Sequence, residues 1–271
     1  MQDFQAWLSA NGFAPPNLTL DGKLYRFPRN GGKDNGWLIG WQNMSSRSGK
    51  TFIVGIAGDW REPGTLYEFK PEGKHITAED RAVMELQIKR AQEAAAEAKR
   101  QRAIEAAMKA ERDWSKGCDD RLAPYLEAKG IDQLYGARVT RWGEDDVLLI
   151  PVRDVDGVLI GLQRIWPNRS KRFLTGQQVK GGMFVFGELN EDTVECFLCE
   201  GWATAASVHM ATRRVVVAAF DAGNLLPVGL ALKGKYPTLS VTVAGDDDWE
   251  REQNVGKEKG HKAAVAVEGA I

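Results

Sequence analysis

A chain of 271 residues, 43% hydrophobic and 27% charged, has the composition of an ordinary globular protein, with enough apolar material for one large core or two to three small ones. Its formal charge of -1, from 36 Lys and Arg against 37 Asp and Glu, does not announce a nucleic-acid binder, although a basic groove can coexist with acids elsewhere. Three cysteines are too few for a disulfide framework, no apolar run reaches the roughly 18 residues of a membrane span, and residues 1–12 lack the basic start and apolar centre of a signal peptide, so a cytoplasmic protein without a membrane partner is expected.

A short helix is expected over residues 4–11, stopped by Gly12. From residue 21 to 69, apolar stretches at 24–27, 37–39 and 51–56 alternate with Gly, Asn and Asp clusters, the pattern of a small antiparallel β domain. Trp37, Trp41, Phe52, Trp60 and Phe69 are its core candidates; any exposed member beside Lys23, Arg26, Arg29, Lys33, Arg47 and Lys50 would suit stacking on single-stranded bases. Residues 48–51 (SGKT) imitate the end of a P-loop, but Met44 stands where the earlier Gly belongs and a strand-like segment follows, so the match is rejected. Thr77 and Asp80 form a capping-box-like start, and helix-favouring residues then fill nearly every position to Trp114. This helix would be about 55 Å long. Every apolar residue between Ile88 and Ile104 is Ala, which reads as a spacer or coiled-coil-like arm rather than a core helix.

Residues 118–130 read as a further helix ended by Gly130. Apolar stretches at 147–150, 158–160 and 183–186, separated by Asp-Gly and Gly-Gly turns, predict a second β-rich subdomain. After Glu191 strand-like segments (194–199, 215–219, 239–244) alternate with helix-like ones (203–211, 225–233 and from Lys259), the order of a parallel sheet. Cys196 and Cys199 have the spacing of a redox or zinc pair, but on a strand their side chains face opposite ways and no second pair exists; they are read as buried structural thiols. His209 and His261 have no ligand-type neighbours and are read as structural or solvated.

Parallel sheets deliver functional residues at the carboxyl ends of their strands. Three such ends carry polar residues: Glu200 with Gly201, Asp221 with Asn224, and Asp246, Asp247 and Asp248. Carboxylates brought together there repel unless a divalent cation joins them, and an all-oxygen set supplemented by phosphates suits Mg²⁺, with Mn²⁺ as a substitute. Upstream, Arg153, Arg164, Lys171 and Arg172 would form a basic wall facing the carboxylates, suited to a template backbone or an incoming triphosphate.

The succession CEGWATAAS, VVAAFDAGNL and VAGDDD, followed by Asn254, Gly256, Lys259 and the Ala263-Ala264 pair, resembles the Toprim domain of bacterial-type primases encoded by plasmids, phages and integrative elements, over residues 194–267. The resemblance implies that Glu200 is a metal ligand or general acid/base and that Asp246 and Asp248 are metal ligands, while Asp247 points away or assists. Asn224 and Lys259 are assigned to the nucleotide or nucleic-acid side. Residues 249–253 are inserted before Asn254, where replicative primases continue with Ala-Gly. Residues 147–187 are similar to the segment that precedes Toprim in these primases, and no tyrosine has the context of a topoisomerase nucleophile. The front domain resembles their zinc ribbon, yet it has no cysteine, so no zinc is expected.

The expectation is therefore an α/β chain with a small zinc-ribbon-like β domain (1–75), a long helical linker (76–116), a primase N-terminal subdomain with the basic segment (117–190) and a C-terminal Toprim domain with a Rossmann-like parallel sheet (191–271). The implied activity is that of a DNA primase: Mg²⁺-dependent synthesis of short primers on single-stranded DNA from nucleoside triphosphates, with a replicative helicase as a partner encoded beyond this sequence or separately. A Toprim nuclease and a non-catalytic nucleic-acid or replisome binding module are the alternatives. The choice of ribo- or deoxynucleotides, the start sequence and the oligomeric state are not written in the residues.

Overall fold

The computed structural model describes residues 2–16, 18–30, 32–62, 65–71, 76–245 and 255–270. The chain divides into two compact units, Met1–Gln101 and Arg102–Ile271.

The first unit opens with α1 (Gln2–Ala10) and continues as an antiparallel meander of β1 (Tyr25–Arg29), β2 (Gly32–Met44), β3 (Thr51–Asp59) and β4 (Leu66–Phe69), in sheet order β1-β2-β3-β4. Alternation along the strands gives the sheet two buried faces. Leu38, Ile53 and Ala57 meet Phe4 and Leu8 of α1, whereas Trp37, Ile39, Val54 and Ile56 face the other way. The SGKT segment lies at the β2–β3 turn, and Thr51 opens a strand rather than a helix, as the rejection of a P-loop requires.

The opposite face is covered by α2 (Ala78–Trp114), whose start is a true capping box. The Asp80 N–H donates to Thr77 Oγ1 at 3.0 Å, the Thr77 N–H donates to the Asp80 carboxylate at 3.0 Å, and Ser45 Oγ donates to the same carboxylate at 2.7 Å. Between its ends the helix buries little, residues 96–105 being exposed or half-buried, but the ends do more than a spacer or arm would. Met84, Ile88, Ala91 and Ala95 are buried in the first unit, and Ala110 is buried in the second with Leu159, Leu162 and Leu174. Ala91 and Ala95 share their cluster with Trp37, Ile39, Phe52, Val54 and Ile56, so the bulk of the sheet side chains seals methyl groups that bury little of their own.

The second unit corrects two further expectations. The helix expected over 118–130 is reduced to α3 (Pro124–Glu127), started by its proline, while Cys118 instead exchanges backbone hydrogen bonds with Val139 (2.9 and 2.7 Å). Next, β5 (Arg138–Trp142), β6 (Asp145–Arg153), β7 (Leu159–Ile165) and β8 (Lys171–Phe173) form an antiparallel sheet in chain order. The strand β9 (Phe184–Phe186), expected to belong with them, pairs antiparallel with β11 (Val216–Ala218). That pairing seats the Phe184 and Phe186 rings 5.8 and 5.2 Å from the buried Trp202 ring. With β10 (Glu195–Cys199) and β12 (Ser240–Ala244), β9 and β11 make a sheet of order β12-β10-β11-β9 in which β10, β11 and β12 are mutually parallel. On one face α4 (Trp202–Thr212) packs with Cys199, Val216 and Ala218; on the other α5 (Leu225–Lys235) and α6 (Val255–Ala266) pack with Cys196, Leu198 and Val217.

Candidate active site

The strand order places β10 between its two parallel neighbours, so the residue that follows it occupies the middle of the carboxyl edge. That residue is Glu200, partly exposed. Its predecessor Cys199 is in register with Ala244 of β12 on one side and Ala218 of β11 on the other. Beyond Ala244, Gly245 lies close to α6: a Cβ added there would stand 3.3 Å from the Gly256 carbonyl oxygen. Asp246, Asp247, Asp248 and Asn254 lie outside the described residues. Among the described residues no three His, Cys, Asp or Glu are grouped closely enough to hold a metal. An oxygen donor beside a strand that leads directly into three aspartates suits a hard divalent cation.

The end of β11 adds Asp221. Phe220 before it adopts φ 73°, unusual for a bulky residue, and is held there by burial with its ring 5.9 Å from that of Phe173. The Asp221 carboxylate accepts the Asn224 N–H at 3.0 Å. Although the residue is more than a third exposed, desolvation by the surrounding strand ends raises its pKa, against the backbone N–H groups of Asn224 and Gly223. Asn224 itself is buried, donating to the carbonyls of Gly182 (2.8 Å) and Ala219 (2.7 Å) and accepting from the Gly181 N–H (2.8 Å). Its amide clamps the loop before β9 to the end of β11. Lys259 stands exposed on α6.

The four basic residues do not make one wall. Arg164 and Arg172 are register partners in a row with Leu149 and Arg138, whereas Lys171 shares the row of Ile165, Leu148 and Val139. The latter row belongs to the core built with Trp202, Val216 and Ala218 of the parallel sheet. Lys171 is therefore on the face turned toward that sheet, and Arg164 and Arg172 are on the face turned away, because successive strand residues point to opposite sides. Arg164 is largely buried in an ion pair with Asp113. Arg153 donates to the Gly157 carbonyl at 2.9 Å and lines a cleft of about 550 Å³ with Tyr135, Glu188, Lys235 and Tyr236.

Comparison with known proteins resolves what this sheet is. Residues 195–270 match the family described as the Toprim domain. This stretch is a Toprim domain. The likeness extends beyond the Toprim domain: the chain is 31% identical over 265 residues to a DNA primase TraC of Escherichia coli, covering 92% of this chain and 17% of that protein. A second Escherichia coli DNA primase TraC is 37% identical over 152 residues, covering 54% of this chain and 14% of that protein. The chain thus spans about a sixth of the length of the first of these relatives. The crystal structure of the primase fragment of the bacteriophage T7 primase-helicase protein aligns with a TM-score of 0.42 at 15% identity, over 52% of this chain and 60% of that one.

Within the Toprim sheet, the cysteines are structural, as the strand spacing implies. Cys196 and Cys199 are buried on opposite faces, and burial pushes the Cys196 thiol up to about 12. His209 is also structural: Nδ1 lies 2.6 Å from the Arg214 carbonyl oxygen, and the ring meets Tyr135 and Phe186. Sequence reasoning missed Asp113, whose helix surface position carried no sign that it would neutralise an arginine 51 residues away. Phe220 was equally hidden, since a left-handed aromatic has no sequence signature.

Proposed function

We propose that this chain is a primase-like nucleotidyltransferase that builds short primers on single-stranded DNA from nucleoside triphosphates. The observation that carries the reading is Glu200 at the centre of the Toprim carboxyl edge, beside the strand that runs into Asp246 and Asp248. Similarity to DNA primase TraC over both units supports it. In this reading Glu200 accepts the proton of the attacking 3′-hydroxyl, directly or through a water. Asp246 and Asp248, with Glu200, hold Mg²⁺, for which Mn²⁺ substitutes; when bound it neutralises the triphosphate oxygens. Lys171, on the Toprim-facing row, and Lys259, exposed on α6, meet phosphates. Asn224 shapes the edge by fixing the end of β11, Arg153 and Arg172 serve nucleic acid away from the reacting atoms, and Arg164, paired with Asp113, holds the sheet rather than the strand. A replicative helicase partner, a cytoplasmic location and carriage on a mobile element complete the proposal.

The test is a template-dependent extension assay with labelled single-stranded DNA, Mg²⁺ and each nucleotide set. Wild-type protein should yield new, longer products, whereas shortened template would establish a Toprim nuclease instead. Glu200→Gln, and separately the double change Asp246→Asn with Asp248→Asn, should reduce synthesis by about 10²-fold or more with circular dichroism unchanged. Undiminished synthesis in either variant would overturn the assignment, and calorimetry showing no Mg²⁺ binding would favour a non-catalytic binding module.

A further inference from the structure

The face of the β5–β8 sheet turned away from the Toprim domain carries an alternation of guanidinium and indole groups that the proposed chemistry does not use. The Arg138 guanidinium lies 4.5 Å from the Trp114 ring centre, that of Arg164 lies 4.8 Å from Trp142, and that of Arg172 lies 5.6 Å from Trp166. Trp142 and Trp166 meet edge to face at 6.3 Å. The ladder is anchored from below: Arg164 is paired with Asp113, which Lys109 also neutralises at 3.1 Å, and Arg138 donates to the Trp114 carbonyl at 2.9 Å. Its outer end is open to solvent. Trp142 is 50% exposed and Arg172 is exposed. An indole held rigid in this way loses little conformational freedom when something stacks on it.

We infer that Trp142, Trp166 and Arg172 form a stacking platform for single-stranded nucleic acid, separate from the carboxylate edge. Exposed aromatic faces take unpaired bases of any sequence, and interleaved guanidinium groups supply the charge complementary to the backbone between them. The position fits a strand that continues from the active edge. β8 is the border strand of its sheet; its Phe173 reaches Phe220 at the carboxyl end of β11, while the adjacent Arg172 points to the platform face. A single strand crossing this border would pass from the Toprim edge onto the tryptophans. The inference does not depend on the carboxylates performing chemistry.

Binding of fluorescein-labelled oligo(dT) by the full chain, measured by anisotropy in EDTA and without nucleotides, tests the platform apart from metal and catalysis. Trp142→Ala should weaken binding about tenfold, and Trp142→Phe should recover most of it. Arg172→Ala should weaken binding and lower the slope of log affinity against log salt by about one. A duplex of equal length should bind wild-type and Trp142→Ala proteins alike. If both alanine variants, with unchanged circular dichroism, bind oligo(dT) as tightly as wild type, the platform is excluded. Equal loss of duplex and single-strand affinity in Trp142→Ala would exclude stacking as its basis.

Discussion

Asp59 shows how a charged residue is kept in the core of the first unit. Its side chain has no exposed surface, and it accepts hydrogen bonds from Arg29 Nη1 (3.0 Å), Asn35 Nδ2 (2.8 Å) and the Arg61 backbone N–H (2.8 Å). Burial opposes its charge, but the donors from Arg61, Arg29 and Asn35 outweigh it and hold the carboxyl below the usual carboxylate range. A depressed folded-state pKa means that the stabilisation is fully present above the ordinary aspartate value near ~3.9 and fades as pH falls through the lower folded value. Asp59→Asn removes the charge but leaves Arg29 paired with Glu62 at 3.0 Å, and should cost about 1–3 kcal/mol in urea unfolding followed by tryptophan fluorescence. The variant should also lose this contribution to acid unfolding. Among the Toprim residues, Glu200 was legible because a strand and then an EG pair precede a helix. The partnership of Arg164 with Asp113 was not, because residues 51 positions apart meet only when a helix and a sheet pack.

At the scale of elements, α2 separates composition from placement. Its alanines are helix-favouring wherever they stand, but Ala91 and Ala95 are sealed against β2 and β3 whereas Ala94 is exposed. Ala95→Leu should therefore overpack and lower stability by roughly 1–3 kcal/mol, while Ala94→Leu should be nearly neutral, as thermal melts would show. Equal effects at the two positions would mean that the helix is not seated on the sheet. Thr77→Ala removes one half of the capping box and should cost about 1 kcal/mol in the same measurement. The box was legible from Thr77 and Asp80 alone, since capping is local chemistry. Seating of the helix was not, because alanine marks neither a core nor a solvent face. The partner of β9 was likewise hidden: a three-residue strand follows its aromatic rings to Trp202, not its neighbours in sequence.

For the whole molecule, the two compact units each hold their own cores. Phe4, Leu38 and Ile56 belong to those of the first, and Leu148, Trp202 and Val228 to those of the second. A chain beginning at Arg102 keeps the part of α2 that buries Ala110 and should melt cooperatively in calorimetry. A broad, non-cooperative melt of that fragment would show that the second unit requires the first.

By itself the sequence determined the alternation of strands and helices that makes a parallel sheet, the carboxyl-edge position of Glu200 and the burial of Cys196 and Cys199, because all of these follow from short-range periodicity and spacing, while the family resemblance rests on the motifs at its strand ends. Only the tertiary structure decided that the basic residues divide between two faces, that both ends of α2 are buried and that guanidinium and indole groups interleave on the far side of the β5–β8 sheet. Each depends on register between distant strands, where a shift of one residue would turn Arg172 toward the Toprim domain and Lys171 away from it.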